Sequence, residues 1–496
     1  MKSEDFRRPG DTDRHVLQRA VDALGPGIVL ELTGDYMIDG QVEIIARKGF
    51  ELVGRGTITL AAGTAIGYGG SALYFSGCAD FEVSGVRCDG NRRHRAQGEA
   101  AGHVIVVDSC HRWRMSNVRA DNGPTDGFLV QTTPGHGTGP AGAVVMADIP
   151  HDWVMQDCDA QNNARQGLSI IESVNWEVRG GSYSRTVGLL DVAALTGPCA
   201  GIDLEPDRNP AYPANRLRNG VIRDVEFAEN QGPGLLISNI GDVSDIAVID
   251  CRFVANRKCA IECYGRDIEI TGSKISRWNS EDYSIRPDIP KKRGLIDVGF
   301  GAGPNIRILD TQITEIVLRP EDDLPLIFVH GQAREGIIIR QLATDGSASV
   351  LGRLHGPAIE FSDSIITLGR RQSLPVVHAS GRDFRMHGNE FAGLTTALLL
   401  CSSTRPSVTN NAVEAVHVAE GDPIFDCSRA ESVSLIANRV RRRSIEPGID
   451  FKVSARSTVV ENVSVNNSSD AWLIAPSPIK ISGNRKVSNS QRRNQA

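Results

Sequence analysis

Short apolar segments recur along the chain, and this recurrence constrains the fold more than any other feature of the sequence. The most closely spaced segments begin about 22–25 residues apart, a period typical of solenoids. They begin at Leu73, Val104, Phe128, Leu168, Ile202, Leu235, Ile261, Leu295 and Leu326 and, less cleanly, at Ile359, Val376, Leu398, Ile424 and Ile449. One such repeat cannot bury its apolar side alone, so each coil must stack on its neighbours.

A second kind of segment follows many of these and has the alternating pattern of a half-buried β-strand. Examples are the runs 81–86, 113–118, 153–158, 176–180 and 246–251. Several copies then reach an asparagine, which tolerates left-handed turns and can hydrogen-bond from coil to coil. These asparagines are Asn122, Asn162 or Asn163, Asn230 and Asn256. The combined pattern predicts an all-β chain folded as a parallel β-helix, a solenoid with two or three short strands per coil.

The N-terminal segment predicts a helix that covers the open end of the solenoid. Thr12 is a suitable N-cap, and the helix ends at Gly25. Its apolar face comprises Val16, Leu17, Ala20, Val21 and Leu24. Strands are predicted at 28–32, 42–45 and 50–60. We therefore expect an N-terminal arm and capping helix over 1–27, a single β-helix over 28–487 and a polar tail over 488–496. Loop insertions are expected around 91–102, 132–148, 184–219 and 278–294.

Composition excludes several classes of protein. The 54 Lys and Arg residues against 60 Asp and Glu give a net charge of −6, which argues against a nucleic-acid-binding surface. No run approaches the roughly 18 apolar residues of a membrane span. The N-terminus has no apolar core of a secretory signal, so we expect either a protein that stays inside the cell or one whose leader has been removed. The ten scattered cysteines are expected to be small buried core residues rather than zinc ligands.

Two parts of the sequence resemble a known group of proteins. The runs 10–13, 34–36 and 52–58 resemble the opening of pectate-lyase-like right-handed β-helix proteins. The run 165–170 followed by 200–206 is similar to a pattern in bacterial right-handed β-helix repeat proteins. The resemblance covers roughly residues 10–330 and implies a right-handed solenoid. The group includes polygalacturonase-like hydrolases, polysaccharide lyases, uronan epimerases and phage tailspikes, so the fold alone does not select a chemistry.

The clearest candidates for chemistry are carboxylates on the leading strands. Taking the first residue of each leading strand as inward, the outward positions are mostly apolar or small: Tyr74 and Ser76, Ile105 and Val107, Leu129 and Gln131, Ser169 and Ile171. Asp203 and Glu205 break this trend, since both lie on one face about 7 Å apart by strand rise. Glu262 is predicted in the column of Asp203, two coils further on. Like charges so placed can leave one carboxyl protonated, as glycosidic cleavage requires, and the estimated separation favours inversion.

Supporting residues are predicted around this pair, where the longest insertions would form the walls of a cleft. Candidate substrate-binding residues are Arg165, Gln166, Asp126, His136, Asp207 and Tyr212. His136 lies in a Gly-His-Gly run similar to that of polygalacturonase-like hydrolases, but it precedes the paired carboxylates here, so the family's role is not transferred to it. Basic residues in the loops, such as Arg93, would suit an anionic polysaccharide.

Three functions remain open at this point. The preferred one is hydrolysis of a polysaccharide or oligosaccharide by Asp203, Glu205 and Glu262, with no cofactor. The second is a lyase or epimerase of a uronic-acid polymer, in which Asp203, Glu205 and Asp207 would hold Ca²⁺; neither Lys258 nor Lys274 is expected on the wall beside them. The third is a non-catalytic, tailspike-like binding solenoid. We expect the protein to be a monomer or a homotrimer.

Overall fold

The computed structural model describes most of the 496 residues and separates the chain into two compact units. Unit 1 contains residues 1–265 and unit 2 contains residues 294–496 together with 266–278. Residues outside the description are 65–69, 96–101, 134–143, 188–196, 208–212, 214–215, 239–241, 279–293, 318–323, 347–349, 370–374, 417, 420–421, 454–458, 468–471, 476–484 and 488–496. Whether residues 28–487 form a single solenoid stays a prediction.

Unit 1 begins with the predicted helix and continues as short strands. The helix α1 covers Asp13–Asp22, and short 3₁₀ helices cover Ser3–Phe6, Arg92–His94 and Met146–Asp148. The strands are β1 Val29–Leu32, β2 Tyr36–Ile38, β3 Val42–Ile45, β4 Glu51–Gly54, β5 Thr57–Leu60, β6 Leu73–Ser76, β7 Ala79–Ser84, β8 Arg87–Asp89, β9 Ile105–Asp108, β10 His111–Ser116, β11 Arg119–Asp121, β12 Phe128–Gln131, β13 His151–Gln156, β14 Ala160–Gln161, β15 Leu168–Ile170, β16 Ser173–Arg179, β17 Ser182–Ser184, β18 Ile202–Leu204, β19 Leu217–Arg223, β20 Glu226–Ala228, β21 Leu235–Ile237, β22 Val243–Ile249, β23 Arg252–Val254 and β24 Ile261–Cys263.

Unit 2 has the same organisation. Its strands are β25 Arg266–Thr271, β26 Lys274–Ser276, β27 Ile296–Val298, β28 Ile306–Leu309, β29 Gln312–Thr314, β30 Ile327–Val329, β31 Ile337–Arg340, β32 Ala343–Asp345, β33 Gly352–His355, β34 Ile359–Ser362, β35 Ile365–Thr367, β36 Val377–Gly381, β37 Arg385–His387, β38 Glu390–Leu394, β39 Leu399–Ser403, β40 Ser407–Thr409, β41 Ala412–Ala415, β42 Phe425–Cys427, β43 Ser434–Glu446, β44 Phe451–Val453, β45 Val459–Asn467, β46 Leu473–Ile474 and β47 Arg485–Val487.

Over most of the chain, every third strand pairs in parallel with its counterpart in the next coil, which gives three parallel ladders. From β42 onward, each strand pairs with the second strand after it. In unit 1 the leading ladder runs β3-β6-β9-β12-β15-β18-β21-β24, and in unit 2 it runs β27-β30-β33-β36-β39-β42-β44-β46. A strand followed by a turn and a second strand, stacked coil upon coil, is a parallel β-helix. The predicted right-handed solenoid class is therefore confirmed.

The first coil is sealed by side chains of the N-terminal segment, as predicted for a capping helix. Thr12 caps α1 by accepting from the His15 N–H. The Gln18 side chain donates to the Glu43 carbonyl and accepts from the Glu43 N–H, both at 2.9 Å, as a neighbouring strand would. Asp13 accepts from the Met37 N–H at 2.8 Å. These contacts satisfy backbone groups that an edge strand would otherwise leave exposed.

Aromatic rings stack along the core of unit 1. Trp113, Trp153 and Trp176 occupy equivalent positions in successive coils, with ring centroids 4.6 Å and 5.6 Å apart. The column ends at Gly220, which is in register with Trp176. A Cβ atom at Gly220 would lie 2.1 Å from the Trp176 ring, so only glycine fits beneath it. The ten cysteines, all within the described residues, are buried and form no disulfide there, which confirms their assignment to the core.

Residues 50–60 form two strands, β4 and β5, separated by a turn at Arg55 and Gly56, as the run Gly54-Arg55-Gly56 predicts. The structure corrects one detail of the prediction. In β9, Ile105 and Val107 point into the core rather than outward, because Ile105 and not Val104 pairs with Phe128 of the next coil. Among the described residues, no helix has the length and apolar character of a membrane-spanning segment.

Buried asparagines form the predicted hydrogen-bonded columns. In unit 1 the Asn230 side chain donates to Asn256 Oδ1 at 2.8 Å, whereas Asn122 lies outside this column and donates to Asp89. In unit 2 the column has four members, Asn389, Asn411, Asn438 and Asn462, and each of the first three donates from its side chain to Oδ1 of the next at 2.9 Å. Each carbonyl oxygen in the column also accepts the backbone N–H of the preceding asparagine, so the side chains act as links between coils.

Asn411→Ala tests this column. The change leaves the side-chain and backbone N–H groups of Asn389 without their acceptor in a buried position. We expect a loss of about 1–3 kcal/mol of unfolding free energy, the cost of unsatisfied buried donors. The matched control is Arg385→Ala, an exposed position on the neighbouring strand β37, which should change stability by less than about 0.5 kcal/mol. Equal denaturation midpoints for the two variants would show that the column contributes nothing.

Candidate functional site

The candidate site lies on the outer side of the leading ladder of unit 1. Ser169 of β15 is in register with Asp203 of β18, and the register continues through Leu236 to Glu262 of β24. The predicted shared column of Asp203 and Glu262 is therefore confirmed. The residues on either side of Asp203 in β18 are core residues with no exposed surface. The alternation of a β-strand places Asp203 on the opposite face.

Three polar residues occupy one repeated position just before the leading strands. His103, Asp126 and Gln166 each lie two residues before the first core residue of β9, β12 and β15. The Gln166 backbone N–H donates to Asp126 Oδ1 at 3.1 Å, and His103 Nδ1 lies 3.1 Å from Asp126 Oδ2. Ser169 Oγ donates to the same Oδ2 at 3.0 Å. The repeat thus brings residues from three coils into contact on one face.

Asp126 is buried but is held in its ionised form. Burial alone would raise the pKa of its carboxyl, yet the Arg165 guanidinium, His103 and the Ser169 hydroxyl outweigh it and lower the pKa. The Arg165 Nε atom lies 3.8 Å from Asp126 Oδ1. A buried carboxylate is tolerated only where charge and hydrogen bonds compensate its lost hydration. Asp126 therefore provides a fixed negative charge that positions Arg165.

Asp203 has the opposite environment. Its side chain has no exposed surface, and its Oδ2 atom accepts a hydrogen bond from the Gln166 side-chain amide at 3.0 Å. Burial is the largest influence on its pKa, followed by the negative charge of Glu205, and together they raise the pKa well above the usual range for aspartate. The Asp203 and Glu205 carboxyl groups also influence each other's pKa. Asp203 is thus the carboxyl of the site whose surroundings favour the protonated form.

Glu205 lies two residues after the buried Asp203 and is partly exposed to solvent. Its side chain is 22% exposed, and Oε2 lies 3.5 Å from Arg165 Nη2. Burial raises the pKa of Glu205, and the charges of Asp126 and Asp207 add to that effect, whereas Arg165 and the hydrogen bond with Asp203 oppose it. The result is a pair of neighbouring carboxyls whose pKa values are both raised, as expected for a pair that shares one proton, with one member buried and the other accessible.

Strand rise predicts about 7 Å between the side chains of Asp203 and Glu205. The two carboxyls are close enough for each to shift the pKa of the other. The preference for inversion stays a prediction.

Glu262 belongs to a separate cluster. Although it shares the column of Asp203, its Oε2 atom accepts from Lys258 Nζ at 2.5 Å and its Oε1 atom accepts from the Tyr264 hydroxyl at 2.8 Å. The expectation that Lys258 lies away from this wall was wrong. Lys258 lies four residues before Glu262, at the end of the turn that precedes β24, and its ammonium group reaches back to the outer face.

The remaining predicted residues fall into two groups. Asp207 is exposed just beyond Glu205, and its negative charge affects the pKa of Glu205. His136 and Tyr212 lie outside the described residues, as do the central parts of the predicted insertions. The described residues contain no group of three or more His, Cys, Asp or Glu side chains arranged to hold a metal ion.

Four residues near the site were not predicted. His103 and Ser169 contact Asp126, as described above. Glu172 is fully buried, accepts the Thr132 N–H at 2.9 Å and lies 3.3 Å from Arg216 Nε. Burial raises the pKa of Glu172 to about 7, against the opposing effects of the Thr132 N–H and Arg216. Glu172 follows β15 by two residues, and the register continues with Ile171 rather than Glu172 opposite Glu205, so the column position gave no signal for it.

Comparisons with known proteins support the fold and go no further. No family model matches the chain, and no curated protein sequence matches it. Among solved structures, gene product 12 of bacteriophage phi29 in its pre-mature form aligns with a TM-score of 0.54 at 12% identity, covering 98% of this chain and 72% of that one. This likeness shows a shared fold. The chain therefore has a right-handed parallel β-helix fold.

Other β-helix structures align more loosely. A tailspike protein mutant of the Escherichia coli bacteriophage HK620, solved with a pentasaccharide, has a TM-score of 0.44 at 12% identity and covers 99% of this chain and 79% of its own. The A-module of the mannuronan C-5 epimerase AlgE4 of Azotobacter vinelandii has a TM-score of 0.36 at 14% identity and covers 86% of this chain and 99% of its own. At these scores the alignments support no argument about function.

Asp203→Asn tests the protonation of the buried pair. The amide oxygen can still accept from Gln166 and the amide NH₂ can donate to Glu205, so the contacts remain while the carboxyl that resists ionisation is removed. At neutral pH we expect a gain of about 1–2 kcal/mol in unfolding free energy. A carboxyl whose folded pKa is raised costs stability only above its unfolded pKa of about 4. The gain should therefore shrink as the pH falls toward that value.

Asp108→Asn is the matched control. Asp108 is also fully buried on this wall, but it accepts hydrogen bonds from Tyr74 at 2.8 Å, Ser109 at 2.9 Å and the Thr133 N–H at 3.0 Å. Replacing one oxygen of Asp108 by NH₂ would place a donor opposite groups that are themselves donors. This change should cost about 1–3 kcal/mol of unfolding free energy. Thermal unfolding across pH measures both variants. If Asp203→Asn destabilised the protein at neutral pH as Asp108→Asn does, the shared proton would be refuted.

Proposed function

We propose that this protein cleaves glycosidic bonds of a polysaccharide or oligosaccharide by acid–base hydrolysis. The observation that carries the proposal is the pair of Asp203 and Glu205, two carboxyls of raised pKa of which one is buried and the other reaches solvent. Pairs of carboxyls whose environments separate their protonation states are characteristic of glycosidase sites. Asp126, whose pKa is lowered by Arg165 and His103, contrasts with Asp203 two coils away, whose pKa is raised.

Glu205 is the group in this pair that a substrate can reach. We assign it the transfer of a proton to the oxygen of the leaving sugar, because its pKa is raised and part of its side chain is exposed. Asp203 is a positioning residue that shares the proton with Glu205 and is itself held by Gln166. Arg165 lies against both Glu205 and Asp126, so it limits how far the pKa of Glu205 rises.

A lyase or epimerase reaction on a uronic-acid polymer is the second candidate. The observation that favours it is Lys258 on the outer wall, next to Glu262 and Tyr264. Proton abstraction next to a carboxylate needs a basic group, and a lysine with a tyrosine close by is one way to provide it. In this structure the Lys258 ammonium donates to Glu262 at 2.5 Å, so it is engaged by a carboxylate of the wall rather than directed at a substrate. We therefore place this reaction second.

Glu205→Gln and Asp203→Asn test the hydrolase. We expect release of reducing ends from a panel of polysaccharides by the parent protein and a loss of at least about 100-fold in kcat/KM for Glu205→Gln, the usual contribution of a general acid. Asp203→Asn should also lose activity while remaining folded. The control is Asp121→Asn, another carboxyl whose pKa is raised by burial but which lies on β11, outside the leading ladder. It should keep its activity.

Two results would change the assignment. Ultraviolet absorbance from an unsaturated product, without reducing ends formed by hydrolysis, would assign the protein to the lyases and shift attention to Lys258. Full activity in both Glu205→Gln and Asp203→Asn would remove the pair from the chemistry. A protein that binds glycans and cleaves none would fit the third reading of the sequence, a non-catalytic solenoid.

A further inference from the structure

The outer side of the leading ladder in unit 2 carries a cluster of rings that the proposed chemistry does not use. We call Phe300, Phe328, His330, His355 and His378 the ring wall. Their centroids form a connected chain: Phe300 to His330 is 5.5 Å, Phe328 to His330 and Phe328 to His355 are both 6.3 Å, and His355 to His378 is 5.0 Å. In all four contacts the edge of one ring meets the face of its neighbour.

The strand register explains why these rings meet. Phe328 of β30 pairs with Arg353 of β33, which pairs with His378 of β36. His330 and His355 lie two residues after Phe328 and Arg353, on the same face of their strands. Their neighbours along the strands, such as Val329, are buried core residues. The wall is therefore an outward surface that continues from coil to coil.

The ring wall is accessible to solvent. Phe300 is 60% exposed, and the other four members are partly exposed. Single exposed aromatic residues are ordinary on protein surfaces, but a connected group of five rings on one face is not. Burying a phenylalanine stabilises a fold by about 1.5–3 kcal/mol, and that gain is largely forgone at Phe300. Such a surface is characteristic of a binding site.

The chemistry of the ring wall selects an uncharged ligand. Burial, with the neighbouring His378, Arg353 and His330, lowers the pKa of His355 to about 4, so this imidazole is neutral at physiological pH. A neutral imidazole offers one donor and one acceptor, and His355 Nδ1 lies 2.7 Å from Ser380 Oγ. Arg353, which shares the register, directs its guanidinium to the carbonyls of Gly352 and Pro375 rather than outward. The wall thus combines apolar ring faces with uncharged polar groups.

We propose that the ring wall is a binding surface for an uncharged sugar chain. Sugar rings have apolar C–H faces, which pack against aromatic rings, and hydroxyl rims, which hydrogen-bond with a neutral imidazole such as that of His355. Successive coils repeat every roughly 4.8 Å, close to the length of one sugar unit in an extended glycan, so a polymer can contact equivalent positions in several coils. The ligand class is that of the proposed function, but the surface belongs to unit 2 and does not depend on the Asp203–Glu205 pair.

Affinity electrophoresis of the full chain tests the ring wall. Native gels containing dextran, galactomannan, xylan or polygalacturonate provide three neutral probes and one anionic probe. We expect at least one neutral polymer to retard the parent protein, and Phe300→Ala and Phe328→Ala each to weaken that retardation about 10-fold, as for truncation of a central aromatic contact. The matched control is Ile365→Ala, which removes a side chain with 62% exposure from another ladder of unit 2 and should change nothing.

Failure of this proposal is distinct from failure of the proposed function. Asp203→Asn should be retarded like the parent protein, so a glycan that binds without being cleaved refutes only the hydrolase. Retardation by polygalacturonate alone, by none of the four polymers, or equally in the parent protein and both phenylalanine variants would overturn the ring wall as a neutral-glycan site. Light scattering gives a further check, because an oligomer that dissociates in Phe300→Ala would assign the wall to self-association instead.

Discussion

The parallel pairing of each strand with its counterpart in the next coil is the constraint on which the rest of the structure depends. It fixes which residues share a column, and therefore which side chains meet. The tryptophan stack of unit 1, the asparagine column of unit 2 and the contacts of Asp126 all follow from that register. A shift of one residue in any coil would exchange core and surface along the strand. The register therefore determines both which side chains pack in the core and which ones meet on the outer surface.

The candidate site shows how two neighbouring positions of the repeat can hold carboxyls in different environments. Asp126 receives an arginine, a histidine and a hydroxyl, which lower its pKa, whereas Asp203 lies beside an amide and a second carboxyl, and its pKa is raised. Burial is similar for both, so the difference comes from the partners. Keeping a protonated acid and an ionised group close together costs stability, and proteins accept that cost mainly where chemistry requires it.

The sequence predicted the features that depend on periodicity and missed those that depend on exact alignment. The β-helix, the capping helix and the column shared by Asp203 and Glu262 follow from apolar spacing. His103 was missed because the sequence analysis began its strand at Val104. When Ile105 is taken as the first core residue, His103 lies two residues before it, at the position that Asp126 and Gln166 occupy in the following coils. The contact between Asp203 and Glu205, and the reach of Lys258 to Glu262, depend on side-chain rotamers, which strand spacing does not specify.

The two proposed surfaces use the same wall of the repeat in different ways. In unit 1 the outward positions of the leading ladder carry carboxyls and their partners, and in unit 2 they carry phenylalanine and histidine rings. The core positions remain aliphatic or aromatic in both. A solenoid can vary its outer face from coil to coil because the backbone ladder and the core, rather than the outer side chains, hold each coil in place.

The shared proton of Asp203 and Glu205 is the central claim, and infrared difference spectroscopy tests it most directly. The parent protein is compared with Asp203→Asn at neutral pH, where the carbonyl stretch of a protonated carboxyl is separate from that of a carboxylate. The account predicts one protonated-carboxyl band in the parent protein that shifts in heavy water and is missing from the variant. A difference spectrum that shows only the loss of a carboxylate would mean that Asp203 is ionised, and would contradict the account.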